Sequence, residues 1–153
     1  AIAAAKRAGV RLRIGGALYP YPEHQRYFDE QIAPALDAER RWLGPVAGAA
    51  KRKLIAEARC VLVPSTAPET SSLVAMEALA SGTPVIAYRA GALPDIVEHG
   101  VTGFIVVDVE EMADAIGRVD AIAPTACRVA AETRFSAARM TTEYLALYAR
   151  LAA

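Results

Sequence analysis

The sequence has no surplus of either charge. Its 17 basic residues balance 17 acidic ones, for a formal net charge of zero. A nucleic-acid partner calls for a basic excess that displaces counterions from phosphates, so none is expected. Long apolar runs are also absent. None approaches the ~20 residues of a membrane-spanning helix, and the strongest candidate, residues 60–64 (CVLVP), has the length of a strand. Cysteine is scarce. The only 2, Cys60 and Cys127, lie far apart among apolar neighbours without metal-ligand spacing. They read as buried thiols of a reducing compartment, and a cytoplasmic location is expected. No Asp-rich or His-rich cluster stands ready for a metal, so neither a metal nor a bound cofactor is expected. His24 sits among polar residues and reads as a surface residue; His99, just before Gly100, reads as part of a helix end. Neither has a catalytic partner in the pattern. Gly15-Gly16 lacks the spacing of a dinucleotide fingerprint, which argues against a nicotinamide oxidoreductase.

With 54% hydrophobic residues over 153 positions, and neither repeats nor low complexity, the chain is expected to form one packed domain. Residues 10–16 (VRLRIGG) alternate and end on two glycines, as a strand does on entering a loop. A helix is predicted from Pro22 to about Ile32, ending near Pro34. Residues 42–46 (WLGPV) read as a short strand and residues 49–59 as a helix carrying Lys51, Arg52 and Lys53. The continuous apolar runs 60–64, 84–88 (PVIAY) and 103–107 (GFIVV) suit strands covered on both faces. Helices are predicted over 72–81, stopped by Gly82, and over 92–98, 110–119, 125–132 and 136–151. Regular alternation of strand and helix predicts a doubly wound parallel α/β sheet, whose ligands bind beyond the carboxyl ends of the strands. Residues 1–8 (AIAAAKRA) already read as helix, without a start signal. The expectation is therefore a fragment whose repeat lacks its first strand.

The chemistry concentrates in residues 64–84. A buried strand ends at Pro64, a small polar loop follows, and Glu69, Thr70, Ser71 and Ser72 lead into a helix. The hydroxyl residues suit an N-cap, and a helix start that faces a strand-end crevice is suited to phosphate. That helix is apolar on almost every side and is expected to be buried. Glu77 is its only charge, on the face of Leu73, and a carboxylate there needs donors from the protein or from a ligand.

Glu69 and Glu77, followed by ALASGTPVIA, then by GALPDIVEHG from Gly91 and TGFIV from Thr102, resemble glycosyltransferase family 4. The WLGPV strand and the last helix fit the same pattern. The resemblance spans nearly the whole chain. It implies the C-terminal, Rossmann-like donor domain of a retaining, two-domain GT-B enzyme that moves a hexose from a nucleoside diphosphate sugar without a metal. Under it, Glu69 would be the catalytic-site carboxylate on the donor sugar's hydroxyls. Amides of Thr70, Ser71, Ser72 and Leu73 would meet the sugar and diphosphate, with Gly16 lining the cleft near the phosphates. Glu77 would accept from the ribose, Val46 would border the base, and Lys51 would reach its edge. The acceptor, a sugar or a lipid, would be held by an absent N-terminal domain, and the parent enzyme could associate peripherally with a membrane. A non-catalytic nucleotide-sugar-binding module working with a partner chain is the alternative. The chain departs from the pattern at Ser71 and Ser72, where an aromatic residue and a glycine are usual, and at Ala92 and Asp95. The arginine and lysine that neutralise the diphosphate in the family would follow the missing strand.

Overall fold

The computed structural model describes residues 1–152. In chain order the elements are α1 (Ile2–Arg7), β1 (Leu12–Gly15), α2 (Pro22–Tyr27), β2 (Arg40–Gly44), α3 (Gly48–Ala56), β3 (Val61–Val63) and α4 (Leu73–Ala80). There follow β4 (Val85–Tyr88), α5 (Leu93–Ile96), β5 (Gly103–Val106), α6 (Val109–Arg118), α7 (Pro124–Phe135) and α8 (Ala137–Leu151). The strands are parallel, as the alternation predicts, and they fall into two sheets: β1 with β2, and β3-β4-β5 in that order. Among the described residues, β1 and β3 each keep one edge without a strand partner.

The core lies around the three-stranded sheet. Val85, Ile86, Ala87 and all of β5 are buried, which requires cover on both faces. Helix α6 packs on β4 and β5 and against α1; α4 packs on β3 and β4, with α3, α5 and α7 against it. β1 alternates between half-buried and exposed, so its alternating sequence is that of a strand with one face in water.

Several boundaries differ from the sequence expectation. The helix expected from Pro22 to Ile32 is α-helical only to Tyr27; it widens into a π-turn over Phe28–Ile32 and tightens to a 3-10 turn over Ala33–Ala35. Pro34 cannot supply the amide that would continue a regular helix. β2 starts at Arg40 rather than Trp42, because the Asp37 carboxylate accepts from the Glu39 and Arg40 amides and turns the chain into the strand. Helix α6 begins one residue early, with Asp108 capping the Glu111 amide at 2.8 Å. Gly82 ends α4 as expected, at φ +80°, with its amide donating to Leu79 O.

Candidate functional site

Helix α4 starts beyond the carboxyl end of β3, where its sequence places it. Ser72 holds the N-cap position in extended geometry, yet its side chain makes no capping hydrogen bond. This corrects the expectation of a hydroxyl cap: the amides of the first turn stay free of a side-chain acceptor. Ser72 is only 3% exposed, and its hydroxyl is buried without a partner. Thr70 and Ser71 lie exposed beside it.

The rest of α4 is half open rather than enclosed. Ala75, Ala78 and Leu79 are buried, while Leu73 is 73% exposed and Val74 is exposed as well. The apolar face of the first turn has nothing over it at the mouth of the strand ends. On that side, Glu77 accepts a hydrogen bond from Lys51 Nζ at 2.7 Å through Oε1, while its Oε2 is buried with no donor. The pair bridges α3 and α4. Lys51, expected to reach a base edge, thus engages the expected ribose acceptor.

Glu69 is half-buried, and its backbone is pinned from below. Ala92 N–H donates to Glu69 O at 2.8 Å. Gly91 lies directly beneath, at φ +54°; a Cβ there would stand 2.1 Å from Glu69 O and 2.4 Å from Glu69 N. Only glycine fits. In the sequence the one signal of this role is a glycine just after a strand end. Ala92, where the family pattern has glycine, sits at φ −75°, a conformation that alanine adopts freely.

On the two-stranded sheet, a Cβ on Gly15 would lie 3.2 Å from Val46, and one on Gly16 would lie 3.6 Å from the Trp42 ring. Gly16 also donates to Gly44 O at 2.9 Å. Val46 is thus a close neighbour of Gly15, and Gly16 of Trp42 and Gly44; Lys51 and Glu77 are brought together, as are the Glu69 loop and Gly91. A cleft of about 740 Å³ opens between the sheets, lined by Ile14, Tyr19 and Trp42 on one side and Pro64 and Tyr88 on the other. The glutamates lie outside its lining. His99 is structural: its Nδ1 accepts from Ile105 N–H at 3.2 Å, and its ring stands edge-on to Phe104. Burial pushes the Cys60 thiol up to about 11, and the thiol of buried Cys127 is also raised by burial. Both are inert as nucleophiles near neutral pH. Among the described residues no three His, Cys, Asp or Glu side chains are grouped to hold a metal, and no helix is long and apolar enough to cross a membrane.

A parallel α/β fold of alternating strands and helices, with a helix starting beyond its strand ends, defines a Rossmann-like domain. The profile of the family described as Glycosyl transferases group 1 matches residues 1–120, and the chain belongs to that family. It is 38% identical over 128 residues to a D-inositol 3-phosphate glycosyltransferase of Saccharomonospora viridis, covering 78% of this chain and 29% of that protein. To the protein of the same description from Mycobacterium avium it is 37% identical over 147 residues, covering 92% and 33%. Anabaena Alr3699/HepE, solved in complex with UDP-glucose, superposes with a TM-score of 0.80 at 26% identity, over 97% of this chain and 44% of that one. The sucrose-phosphate synthase of Thermosynechococcus elongatus gives 0.79 at 26% identity, over 98% and 41%. The chain spans about a third of the length of these curated relatives.

Proposed function

We propose that the protein carrying this chain transfers a hexose from a nucleoside diphosphate sugar to an acceptor with retention at the anomeric carbon, as in glycosyltransferase family 4, and that this chain supplies the donor site. The observation that carries the reading is the buried, donorless Oε2 of Glu77 beside the uncapped start of α4. An unsatisfied buried acceptor costs about 1–3 kcal/mol, which a ligand hydroxyl would relieve. The likeness to a protein solved with UDP-glucose supports the same donor class.

In this reading Glu77 accepts from the ribose, Val46 borders the base and Gly16 lines the phosphate end of the crevice. Glu69 accepts from the sugar hydroxyls, and amides from Thr70 to Leu73 donate to sugar and diphosphate. As the bond from C1 to the diphosphate oxygen breaks, the leaving group takes the electron pair, and the α4 amides stabilise the growing negative charge. The acceptor oxygen then bonds to C1 on the same face and passes its proton to the departing diphosphate oxygen. Catalysis rests on positioning and on leaving-group stabilisation, without a metal. The acceptor, a sugar or a lipid, is held by a separate N-terminal domain, in a cytoplasmic enzyme that can associate peripherally with membranes. No specific observation favours a non-catalytic module.

Calorimetry of the intact protein against ADP, CDP, GDP and UDP tests the reading. At least one should bind, and Glu77→Gln should weaken that binding by about 1.5–3 kcal/mol, the worth of a charge-assisted hydrogen bond. Full affinity in the variant would remove Glu77 from the ribose; binding of none of the four would overturn the donor site.

A further inference from the structure

We infer that Lys51 is a positioning residue of the donor site, holding the Glu77 carboxylate by one oxygen so that the other is left to accept from the ligand's ribose. This rests on the ribose role of Glu77 proposed above. Nζ of Lys51 donates to Oε1 at 2.7 Å, from a helix 26 positions earlier in the chain. The two side chains are 39% and 43% exposed. A pair so open to water contributes little to folding stability, so stability does not account for it.

Its effect on a ligand is larger. A glutamate side chain is rotamer-rich, and ordering it costs entropy at the moment of binding unless that entropy has already been lost. Glu77 is the only charged residue on α4, and the Lys51 ammonium is the one group of the described residues that hydrogen-bonds its carboxylate. Oε2 is meanwhile buried without a donor. The terminal torsion of a glutamate is broad and soft, so the carboxylate can turn Oε2 toward an incoming hydroxyl while Nζ keeps Oε1. A direct contact of Lys51 with base or phosphate would draw on the ammonium's other N–H donors and would not depend on the ribose hydroxyls.

The test is calorimetry on the intact protein with whichever of ADP, CDP, GDP and UDP the wild type binds most tightly, and with the 2′,3′-dideoxy form of that nucleotide. Lys51→Ala should weaken binding of the ribonucleotide about five- to twentyfold and change that of the dideoxy form by less than about twofold. Lys51→Met, which keeps the aliphatic stem, should behave like Lys51→Ala, and Lys51→Arg should recover affinity to within about threefold of wild type. Lys51→Ala in a Glu77→Gln background should add no more than about twofold. An equal loss on the dideoxy nucleotide would assign Lys51 to base or phosphate and overturn the inference. So would unchanged ribonucleotide affinity, or additive losses in the double variant. If the wild type binds none of the four nucleotides, the donor-site reading falls and the Lys51 inference falls with it.

Discussion

At the scale of single residues, two carboxylates on neighbouring segments have different surroundings. Glu77 is tied to Lys51, whereas Glu69 is fixed through its backbone, by the amide of Ala92, and keeps its side chain without a hydrogen-bonded partner among the described residues. A side chain left uncommitted at the mouth of a strand-end crevice suits a contact made only with substrate. Glu69→Ala is therefore expected to lower transfer by about a hundredfold or more while nucleoside diphosphate affinity stays within about threefold. Steady-state kinetics beside calorimetry decides it: equal losses in both would move Glu69 to the nucleotide. Cys60 offers a test of burial. Its thiol, raised from 9.0 to about 11 chiefly by desolvation, stays protonated in the folded chain where the unfolded chain has begun to ionise. The folded state then binds more protons, so stability falls as pH rises from about 9 toward 11. Urea midpoints should drop between pH 8 and pH 10, and Cys60→Ala should shrink that drop; an equal drop in both proteins would assign it to other groups.

At the scale of elements, the loop after β3 is held by the loop after β4. Gly91 and Ala92 sit beneath Glu69, so the position of one crevice loop depends on the backbone of the next. Gly91→Ala places a methyl against backbone atoms that cannot swing aside and also strains φ. It should cost upwards of about 1 kcal/mol of stability and displace the Glu69 loop. Ala92→Gly, at an ordinary helical φ, should cost no more than about 0.4–1 kcal/mol, through the looser unfolded chain alone, and leave kcat unchanged. Thermal melting and kcat measured on both variants check this. A Gly91→Ala protein with wild-type kcat would show that the Glu69 loop need not be held from below.

At the scale of the whole molecule, two features are left open. β1 and β3 each have one edge unpaired among the described residues. Helix α8 has no buried residue, and it exposes Met140, Tyr144, Tyr148 and Leu151 along one side. Unpaired edges and an uncovered apolar stripe favour association. The 153-residue chain by itself should self-associate as its concentration rises and should turn over no nucleotide sugar. Sedimentation velocity and a donor-turnover assay check both; a monomer with normal turnover would contradict the expectation.

The strand–helix order was legible because it is local. Continuous apolar runs mark β3, β4 and β5, alternation marks β1, and Gly82 marks the end of α4. Each depends on neighbours a few positions away and on the period of one element. The placement of Glu69 and Glu77 around a helix start beyond β3 followed from the same patterns. The tertiary structure alone decided how distant segments meet. It divided the strands into two sheets, paired Lys51 with Glu77, and set Gly91 under Glu69. It left the Ser72 hydroxyl buried instead of capping α4, and left the first turn of α4 open although its residues are apolar. An apolar or charged side chain states what contact it needs. Which atoms supply that contact depends on how the helices pack across the sheet, and no periodicity within one element encodes that.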